Sequence, residues 1–281
     1  MGRSRSDKFV HMLEKIKKAA DFIAERTPGF RPEAGVILGT GLGGLVDHIE
    51  IKHSVDYADI PDFPVSTVEG HKGRLIFGML GGRRIVAMQG RFHYYEGYTP
   101  QQVVFPVRVM KMLGIERLFV SNASGGVNPT FRVGDLMVIN DHINLIPNPL
   151  IGPNIDELGP RFPDMKRAYS PELIRLATDV AAREGIKLQY GCYVGLTGPT
   201  FETPQEYHYV RAIGGDAVGM STTPEIIAAR HMGLPCFGVS IINDLASDDS
   251  GSTEEVQEKG KRAARQLSRV LIGKLEALYG G

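Results

Sequence analysis

Cysteine is scarce in this sequence, and its scarcity excludes two kinds of protein. Among 281 residues, only Cys192 and Cys236 are cysteines. They lie too far apart for a C-x-x-C metal or redox pair, and two are too few for a disulfide framework. We therefore expect a protein of the reducing cytoplasm.

Net charge is absent as well. The 32 Lys and Arg residues balance 32 Asp and Glu residues. Without an overall positive field, counterion release provides little attraction to nucleic acid. We expect no nucleic-acid partner, although a small anion can still bind at a local site.

The sequence also has no long apolar run. No stretch of about 18 apolar residues is available to cross a bilayer. The basic first segment, MGRSRSDK, leads into a charged stretch and not into the apolar core that a signal peptide needs. No membrane partner is therefore expected.

Apolar residues recur at helical spacing near the start of the chain and then fall into short runs. The first pattern predicts an amphipathic helix within residues 1–30, ended by Pro28-Gly29. The short runs are typical of buried strands, and helical stretches separate several of them. The strand candidates are 34–38, 74–80, 83–89, 116–123, 135–141, 190–198 and 236–244, and the helical stretches are 100–113, 171–184, 203–213, 224–231 and 254–278.

Strands that alternate with helices favour an α/β fold with a central, mixed β-sheet flanked by helices. No long polar linker divides the chain, so one domain over residues 1–281 is predicted. The segment 246–253, ASDDSGST, is expected to be a lid loop because loops of such composition often cover binding sites.

A glycine-rich segment follows the first strand candidate. Gly39, Gly41 and Gly44 fit the G-x-G-x-x-G pattern of dinucleotide-binding proteins. That pattern also needs a second strand that ends in an acidic residue, whereas two prolines interrupt residues 52–70. Dinucleotide binding, a purely structural turn and a smaller phosphate site with the Thr40 hydroxyl as a donor stay open, and the phosphate site is favoured.

Two familiar catalytic patterns are incomplete. The segment Gly219-Met220-Ser221-Thr222-Thr223 lacks the last glycine of the G-x-S-x-G nucleophile elbow. The zinc motif H-E-x-x-H is missing, and the eight histidines are scattered. We expect neither a Ser-His-Asp hydrolase nor a metal site, and no cofactor.

Polar chemistry is concentrated directly after the strand candidate 83–89. Arg91, His93, Tyr95 and Glu96 lie within six residues, where ligands of open α/β sheets usually bind. Arginine can fork onto two phosphate oxygens, and Glu96 can hold the His93 ring and its tautomer. The small residues 121–126 repeat the change from strand to loop, and their backbone N–H groups can face an anion.

Several long segments together resemble one family, the low-molecular-mass, homotrimeric purine nucleoside phosphorylases. The segments occur in the family's order between residues 30 and 240, which makes the resemblance more specific than a single glycine signature. They are ILGTGLGGL, HKGRLIFG, QGRFHYYEGY, FPVRVMKMLGIERLFVSNASGGVNPTFRVGDLMVINDHINL, GPTFETPQE and GGDAVGMSTTPEIIAARHMGL.

The resemblance implies a nucleoside phosphorylase fold and a reaction class. Such enzymes cleave the N-glycosidic bond of a purine nucleoside with inorganic phosphate and release the free base and an α-pentose 1-phosphate. A purine nucleoside and phosphate are the implied partners, with no metal, organic cofactor or covalent enzyme intermediate. A homotrimer is implied by the resemblance alone.

By resemblance, one group of residues holds the phosphate beside C1' of the sugar. A cluster of this kind positions the dianion and selects it over water. The group comprises Thr40, Arg91, His93, the backbone N–H of Ala123, and Ser221, with His71 at the same end.

The resemblance assigns other residues to the sugar and the base. Tyr95 and Met220 would contact the ribose, and Phe162 would reach the site of a neighbouring subunit. Phe201 would stack on the purine, while Glu202 would accept hydrogen bonds from N1–H and a 2-amino group. Tyr193 and Val218 would be walls of the base pocket, or else simply buried strand residues.

The sequence departs from the family pattern at the base. Members specific for 6-oxopurines carry Thr-Asn where this chain reads Asn243-Asp244. An ionised Asp244 would repel N7 and O6, so it must be protonated and donate to N7 or pair with a 6-amino group. A shift of one residue would instead bring Asn243 to the base. His93, Glu202, Asn243 and Asp244 are therefore the catalytic candidates.

A second departure lies at Thr253, which aligns with a histidine that contacts the 5'-hydroxyl in mammalian-type members. With Asp244, it motivates an alternative, a phosphorylase that prefers 6-aminopurine nucleosides or 5'-methylthioadenosine. A nucleoside hydrolase and a non-catalytic nucleotide-binding module are the alternatives from other classes. The preference between ribose and 2'-deoxyribose is left open.

Overall fold

A computed structural model describes residues 5–39, 43–65, 73–246 and 253–278. Within these residues a single nine-stranded sheet with both parallel and antiparallel pairs carries helices on its two faces. The α/β fold with a central, mixed sheet is therefore confirmed. The lid loop predicted at 246–253 lies almost entirely outside the described residues, and its role stays a prediction.

The strands follow the predicted pattern closely. The candidates at 34–38, 74–80 and 83–89 are confirmed to the residue as β1, β3 and β4. The strands are β1 Ala34–Leu38, β2 Glu50–Asp56, β3 Arg74–Leu80, β4 Arg83–Gln89, β5 Arg117–Gly126, β6 Leu136–Asn144, β7 Leu188–Gly195, β8 Ala217–Gly219 and β9 Cys236–Leu245.

The helices also fall where the periodicity predicts them, with one division. The stretch 100–113 is two helices because Pro106 stands at the second helix's first turn, where its missing N–H breaks no bond. The helices are α1 Arg5–Arg26, α2 Pro100–Val103, α3 Phe105–Met112, α4 Pro171–Arg183, α5 Pro204–Ala212, α6 Thr223–His231 and α7 Thr253–Ala277.

Two strands are missing from the prediction, for different reasons. β2 lies at the edge of the sheet and is mostly exposed, so it lacks the apolar run that marks a buried strand. β8 has only three residues. β2 also pairs antiparallel with β3 and not parallel with β1, so no dinucleotide-binding βαβ unit forms after the glycine loop.

The prediction that residues 121–126 leave the strand for a loop is wrong. β5 continues to Gly126 because β9 pairs with it in parallel over that length and β8 adds an antiparallel pairing at Gly125 and Gly126. β9 also pairs with β6, so β5, β8, β7, β6 and β9 form a closed ring of strands. The functional cavity described below lies at this ring.

Two apolar layers pack against opposite faces of the sheet. On one face, α1 packs the apolar residues that recur at helical spacing against the sheet. Ile16 and Ile23 are among them and are fully buried beside residues of α3. On the other face, α4 and α7 bury Leu173 and Leu271. None of the helices in the described part of the chain combines the length and the apolar character needed to cross a bilayer.

The second layer contains a buried lysine. The Nζ atom of Lys274, on α7, lies 3.0 Å from the ring centroid of Phe237 and 4.8 Å from that of Phe119. Among the described residues it has no hydrogen-bond partner. Burial therefore lowers the pKa of the Lys274 amine well below its ordinary value.

Lys274→Met is expected to stabilise the protein at neutral pH. Lys274 binds a proton readily in the unfolded chain but not in the folded protein. At a pH below the pKa of the unfolded lysine, this difference lowers the free energy of unfolding. The loss becomes smaller as the pH rises toward that pKa. Removing an unpartnered buried polar group contributes about 1–3 kcal/mol. Thermal unfolding between pH 7 and pH 10 measures both the gain and its decline.

Lys261→Met on the exposed side of α7 is the matched control and is expected to leave the melting temperature nearly unchanged. A Lys274→Met protein that melts at a lower temperature would contradict this account, as would a gain that stays constant up to pH 10.

Candidate active site

A cavity of about 500 Å³ opens at the carboxyl ends of β4, β5 and β9 and beside β8. Most of the residues that the sequence assigns to a site lie in its lining, although they come from distant parts of the chain. These are Arg91, His93, Tyr95, Ala123, Phe201, Glu202, Val218, Met220, Ser221, Asn243 and Asp244.

A buried ion pair anchors one end of the cavity. The Nε and Nη2 atoms of Arg91 donate to the two carboxylate oxygens of Glu225 at 3.1 and 2.6 Å, and both side chains are almost fully buried. Two nitrogens of the guanidinium thus bind Glu225, and the contact of Arg91 with phosphate stays a prediction. Nη1 of Arg91 donates to the Ser121 carbonyl at 2.8 Å and to Ser221 Oγ at 3.2 Å, which fixes that hydroxyl at the cavity wall.

Ser221 is followed by a strained turn. Thr222 has φ 71° and ψ −54°, and the Thr223 N–H donates to the Ser221 carbonyl at 2.8 Å, which closes a γ-turn that a β-branched residue rarely adopts. The Asn122 amide donates to Thr222 Oγ1 at 2.8 Å and secures the turn. α6 begins immediately after it, so its positive end is directed toward Ser221.

His93 is held by its neighbours. The Glu96 carboxylate accepts from the His93 backbone N–H at 2.8 Å and lies 2.9 Å from Nδ1, as its position three residues later predicts. A carboxylate at Nδ1 fixes the orientation of the imidazole ring. The Tyr95 ring stacks on the imidazole with centroids 4.7 Å apart.

The glycine loop begins against the same wall. A Cβ on Gly39 would lie 2.4 Å from the Ser121 carbonyl oxygen, so only glycine allows this approach, and the Gly39 N–H donates to Ser121 Oγ. The first glycine of the motif therefore lies next to the carbonyl that Arg91 binds. Thr40 and His71 lie outside the described residues, and their roles stay predictions.

Carboxylates and aromatic rings line the other end of the cavity. Phe201 is 83% exposed at the rim, and Glu202 and Tyr207 lie beside it in the lining of the cavity. Burial raises the pKa of the Glu202 carboxyl, and the charges of Glu206 and Asp244 add to that effect. Burial and the carboxylates of Glu202 and Asp244 raise the pKa of Tyr207 to about 12.

A β-bulge brings Asn243 and Asp244 to the same cavity. Ser124 of β5 pairs with Ile242, but Gly125 pairs with Asp244, so Asn243 is the extra residue between two paired positions. Consecutive residues of a regular strand point to opposite faces, whereas here both side chains line the cavity. The Asp244 carboxylate also accepts from the Leu245 N–H at 2.9 Å.

Met220 faces the cavity, whereas Tyr193 lies behind its wall. Met220 lines the cavity, and Gly198 approaches it so closely that a Cβ there would lie 2.4 Å from the sulfur. Tyr193 is fully buried and does not line the cavity; its hydroxyl accepts from the Ser221 N–H at 3.3 Å. Val218 does line the cavity, and a role of Tyr193 in the base pocket stays a prediction.

Comparisons with known proteins agree with this geometry. The family model described as "Phosphorylase superfamily" matches residues 33–276. The chain is 57% identical to purine nucleoside phosphorylase 1 of Geobacillus stearothermophilus over 90% of this chain and 94% of the relative. It is 48% identical to purine nucleoside phosphorylase of Mus musculus over 94% of this chain and 95% of the relative.

The chain belongs to the purine nucleoside phosphorylase family. A solved structure agrees with the assignment, that of Schistosoma mansoni purine nucleoside phosphorylase in complex with adenosine, at 42% identity and a TM-score of 0.87 over 94% of this chain and 97% of that one. The resemblance stated from the motifs is confirmed. The alternative with a 6-aminopurine or 5'-methylthioadenosine preference is not favoured, because the curated relatives are named purine nucleoside phosphorylases.

Phe162 lies away from the cavity of its own chain. Its side chain is 86% exposed and faces a separate surface depression together with Ile151 and the Arg161 guanidinium, whose carbon lies 5.6 Å from the ring centroid. Thr253 begins α7, but nothing is described of its side chain, so its expected place near the 5'-hydroxyl stays a prediction.

Sequence reasoning missed two residues of this site. Glu225 lies in an apolar helical stretch, and its only signal is an acidic residue in the first turn of a helix that follows a candidate phosphate ligand. Tyr207 had no signal, because its role depends on α5 packing beside the end of β5. Among the described residues no group of three or more His, Cys, Asp or Glu side chains is arranged to hold a metal ion.

Glu225→Gln is expected to destabilise the protein and to lower activity together. It leaves the buried Arg91 guanidinium without a counter-charge, which costs about 3–5 kcal/mol when a buried pair is broken. Chemical denaturation measures the free energy of unfolding.

The exposed pair of Arg175 and Asp179, 3.3 Å apart, supplies the control. Asp179→Asn should cost no more than about 0.5 kcal/mol, as exposed helical pairs do. Equal losses in the two variants would show that the Arg91–Glu225 pair is not the anchor described above.

Proposed function

We propose that the cavity is where this member of the family brings a purine nucleoside and inorganic phosphate together, releasing the free base and an α-pentose 1-phosphate. The observation that carries the proposal is the division of one cavity into two chemical ends. Ser221, the His93 ring and the backbone of Ala123 supply polar groups at one end, and Phe201 and Glu202 supply a stacking ring and a carboxylate at the other.

The phosphate end suits a dianion in contact with fixed donors. Ser221 Oγ accepts from Arg91 and lies 3.1 Å from Thr222 Oγ1, so with Thr222 as the donor of that pair the Ser221 hydroxyl can give its own proton to a phosphate oxygen. The Ala123 N–H, the His93 ring and the positive end of α6 complete the cradle. Donors fixed in this way hold the phosphate for attack on C1' without reorganisation.

The base end suits a 6-oxopurine. Glu202 accepts from N1–H and from a 2-amino group, and Phe201 covers the face of the ring. Asn243 offers an amide that donates to N7, and Asp244 lies next to it in the lining of the cavity. As phosphate bonds to C1', the bond from C1' to N9 breaks, its electron pair passes to the purine, and a donor at N7 stabilises the developing negative charge.

The sugar lies between the two ends. Tyr95, held by its stack on His93, and Met220 line this middle section. A thioether and a ring present an apolar wall to a sugar that becomes oxocarbenium-like, and the phosphate oxygen is the charged group that approaches C1'. No metal, organic cofactor or covalent enzyme intermediate takes part in this scheme.

We also infer a cytoplasmic homotrimer in which Phe162 covers the ribose in a neighbouring subunit. The high exposure of Phe162 and its distance from the cavity of its own chain support a role in another subunit. Two free cysteines, one of them buried, support a reducing location.

The test is release of free base from inosine, guanosine or adenosine by the purified protein, with and without phosphate. Strict dependence on phosphate, with inosine or guanosine preferred, is expected. Release without phosphate would identify a hydrolase, and no release from any nucleoside would overturn the proposal. Binding of NAD without cleavage would favour the nucleotide-binding module instead.

Two substitutions separate the two ends of the cavity. Phe201→Ala is expected to raise the KM for inosine by about 5- to 150-fold, because base–aromatic stacking contributes about 1–3 kcal/mol. His93→Ala is expected to lower kcat about a hundredfold through misplacement of phosphate, with a smaller change in nucleoside KM. Steady-state kinetics with either substrate varied measures both, and an interchange of the two effects would contradict the assigned ends.

A further inference from the structure

A second cavity of about 740 Å³ adjoins the base end of the active site. Its lining includes the basic side chains Arg132 and Arg211 among mostly apolar residues. Tyr207 lines both cavities, so its ring forms part of the partition between them. Nothing in the sequence motifs or in the family resemblance assigns a role to Tyr207.

The Tyr207 hydroxyl is directed to the active-site side. It lies beside the Glu202 carboxylate in the lining of the same cavity, close enough for each group to shift the pKa of the other, and an ideal Cβ on Gly125 at the end of β5 would lie 3.7 Å from the hydroxyl oxygen. With its pKa raised to about 12, the phenol keeps its proton at neutral pH and acts as a donor to the carboxylate. A carboxylate held by one donor has its remaining lone pairs in fixed directions.

We propose that Tyr207 is a positioning residue that sets the specificity of the base site for purines with a hydrogen on N1. Its hydroxyl orients Glu202 toward the N1–H and 2-amino edge, and its ring keeps the second cavity from opening beside that carboxylate. The inference rests on the proposed function, in which Glu202 binds this edge of the base. A purine without a hydrogen on N1 gains nothing from the arrangement.

The groups that face Glu202 fix the direction of the pH effect. Tyr207 and Glu206 face it from α5, Asp244 faces it from β9, and its own backbone N–H donates to it. Burial and the two acidic neighbours raise the pKa of Glu202, whereas the Tyr207 hydrogen bond lowers it. Loss of the hydroxyl must therefore raise the Glu202 pKa further, and the acid limb of kcat/KM for inosine moves to higher pH.

Tyr207→Phe removes the hydroxyl and keeps the ring. For inosine and guanosine, kcat/KM is expected to fall about tenfold, the size of one net hydrogen bond, mainly through KM. For purine riboside, whose N1 carries no hydrogen, it should change less than about twofold. Tyr209→Phe, on the exposed side of the same helix, is the matched control and should leave all three substrates unchanged.

A double-mutant cycle keeps the test decisive. In a Glu202→Gln background, Tyr207→Phe should no longer change the ratio of inosine to purine riboside turnover. Equal losses for all three substrates, or an unchanged acid limb together with unchanged KM, would overturn the role of Tyr207. Failure of the proposed function itself is distinct, because the unsubstituted protein would then release no base in a phosphate-dependent manner.

Discussion

The buried pair of Arg91 and Glu225 is the constraint on which the phosphate end of this molecule depends. A guanidinium and a carboxylate with almost no exposure are stable only when their remaining polar atoms are also satisfied. Arg91 meets that condition by binding the Ser121 carbonyl of β5 and the Ser221 hydroxyl before α6. Arg91 thus connects the end of β4 with β5 and with the start of α6. The strained Thr222 turn lies between Ser221 and Glu225, the two side chains that Arg91 binds there.

The base end depends on strand pairing rather than on charge. The bulge at Asn243 turns two consecutive residues of β9 toward one cavity, and the closed ring of strands brings β8 back along the end of β5. Glu202 reaches the same place from the segment after β7, with Tyr207 behind it on α5. The cavity therefore combines a rigid donor cluster with a base pocket built from several segments that meet only in the folded chain.

Much of this arrangement could be predicted from the sequence, and the limits have physical causes. Buried strands such as β1 and β4 contain continuous apolar runs, which the sequence shows directly. The contact of Glu96 with His93 follows from their spacing of three residues. β2 was not predicted, because an exposed edge strand lacks the apolar run that marks a buried strand. The pairing of Arg91 with Glu225 had no local signal, because the two residues lie 134 positions apart in sequence. The ambiguity between Asn243 and Asp244 reflects a bulge, which residue types alone do not locate.

A crystal structure of the protein with phosphate and an unreactive inosine analogue tests the central claim most directly. Phosphate density is expected in contact with Ser221 Oγ, the Ala123 N–H and the His93 ring, with the purine between Phe201 and Glu202 in the 500 Å³ cavity. Phosphate bound instead in the neighbouring cavity beside Arg132 and Arg211, or a purine placed outside contact with Glu202, would contradict it.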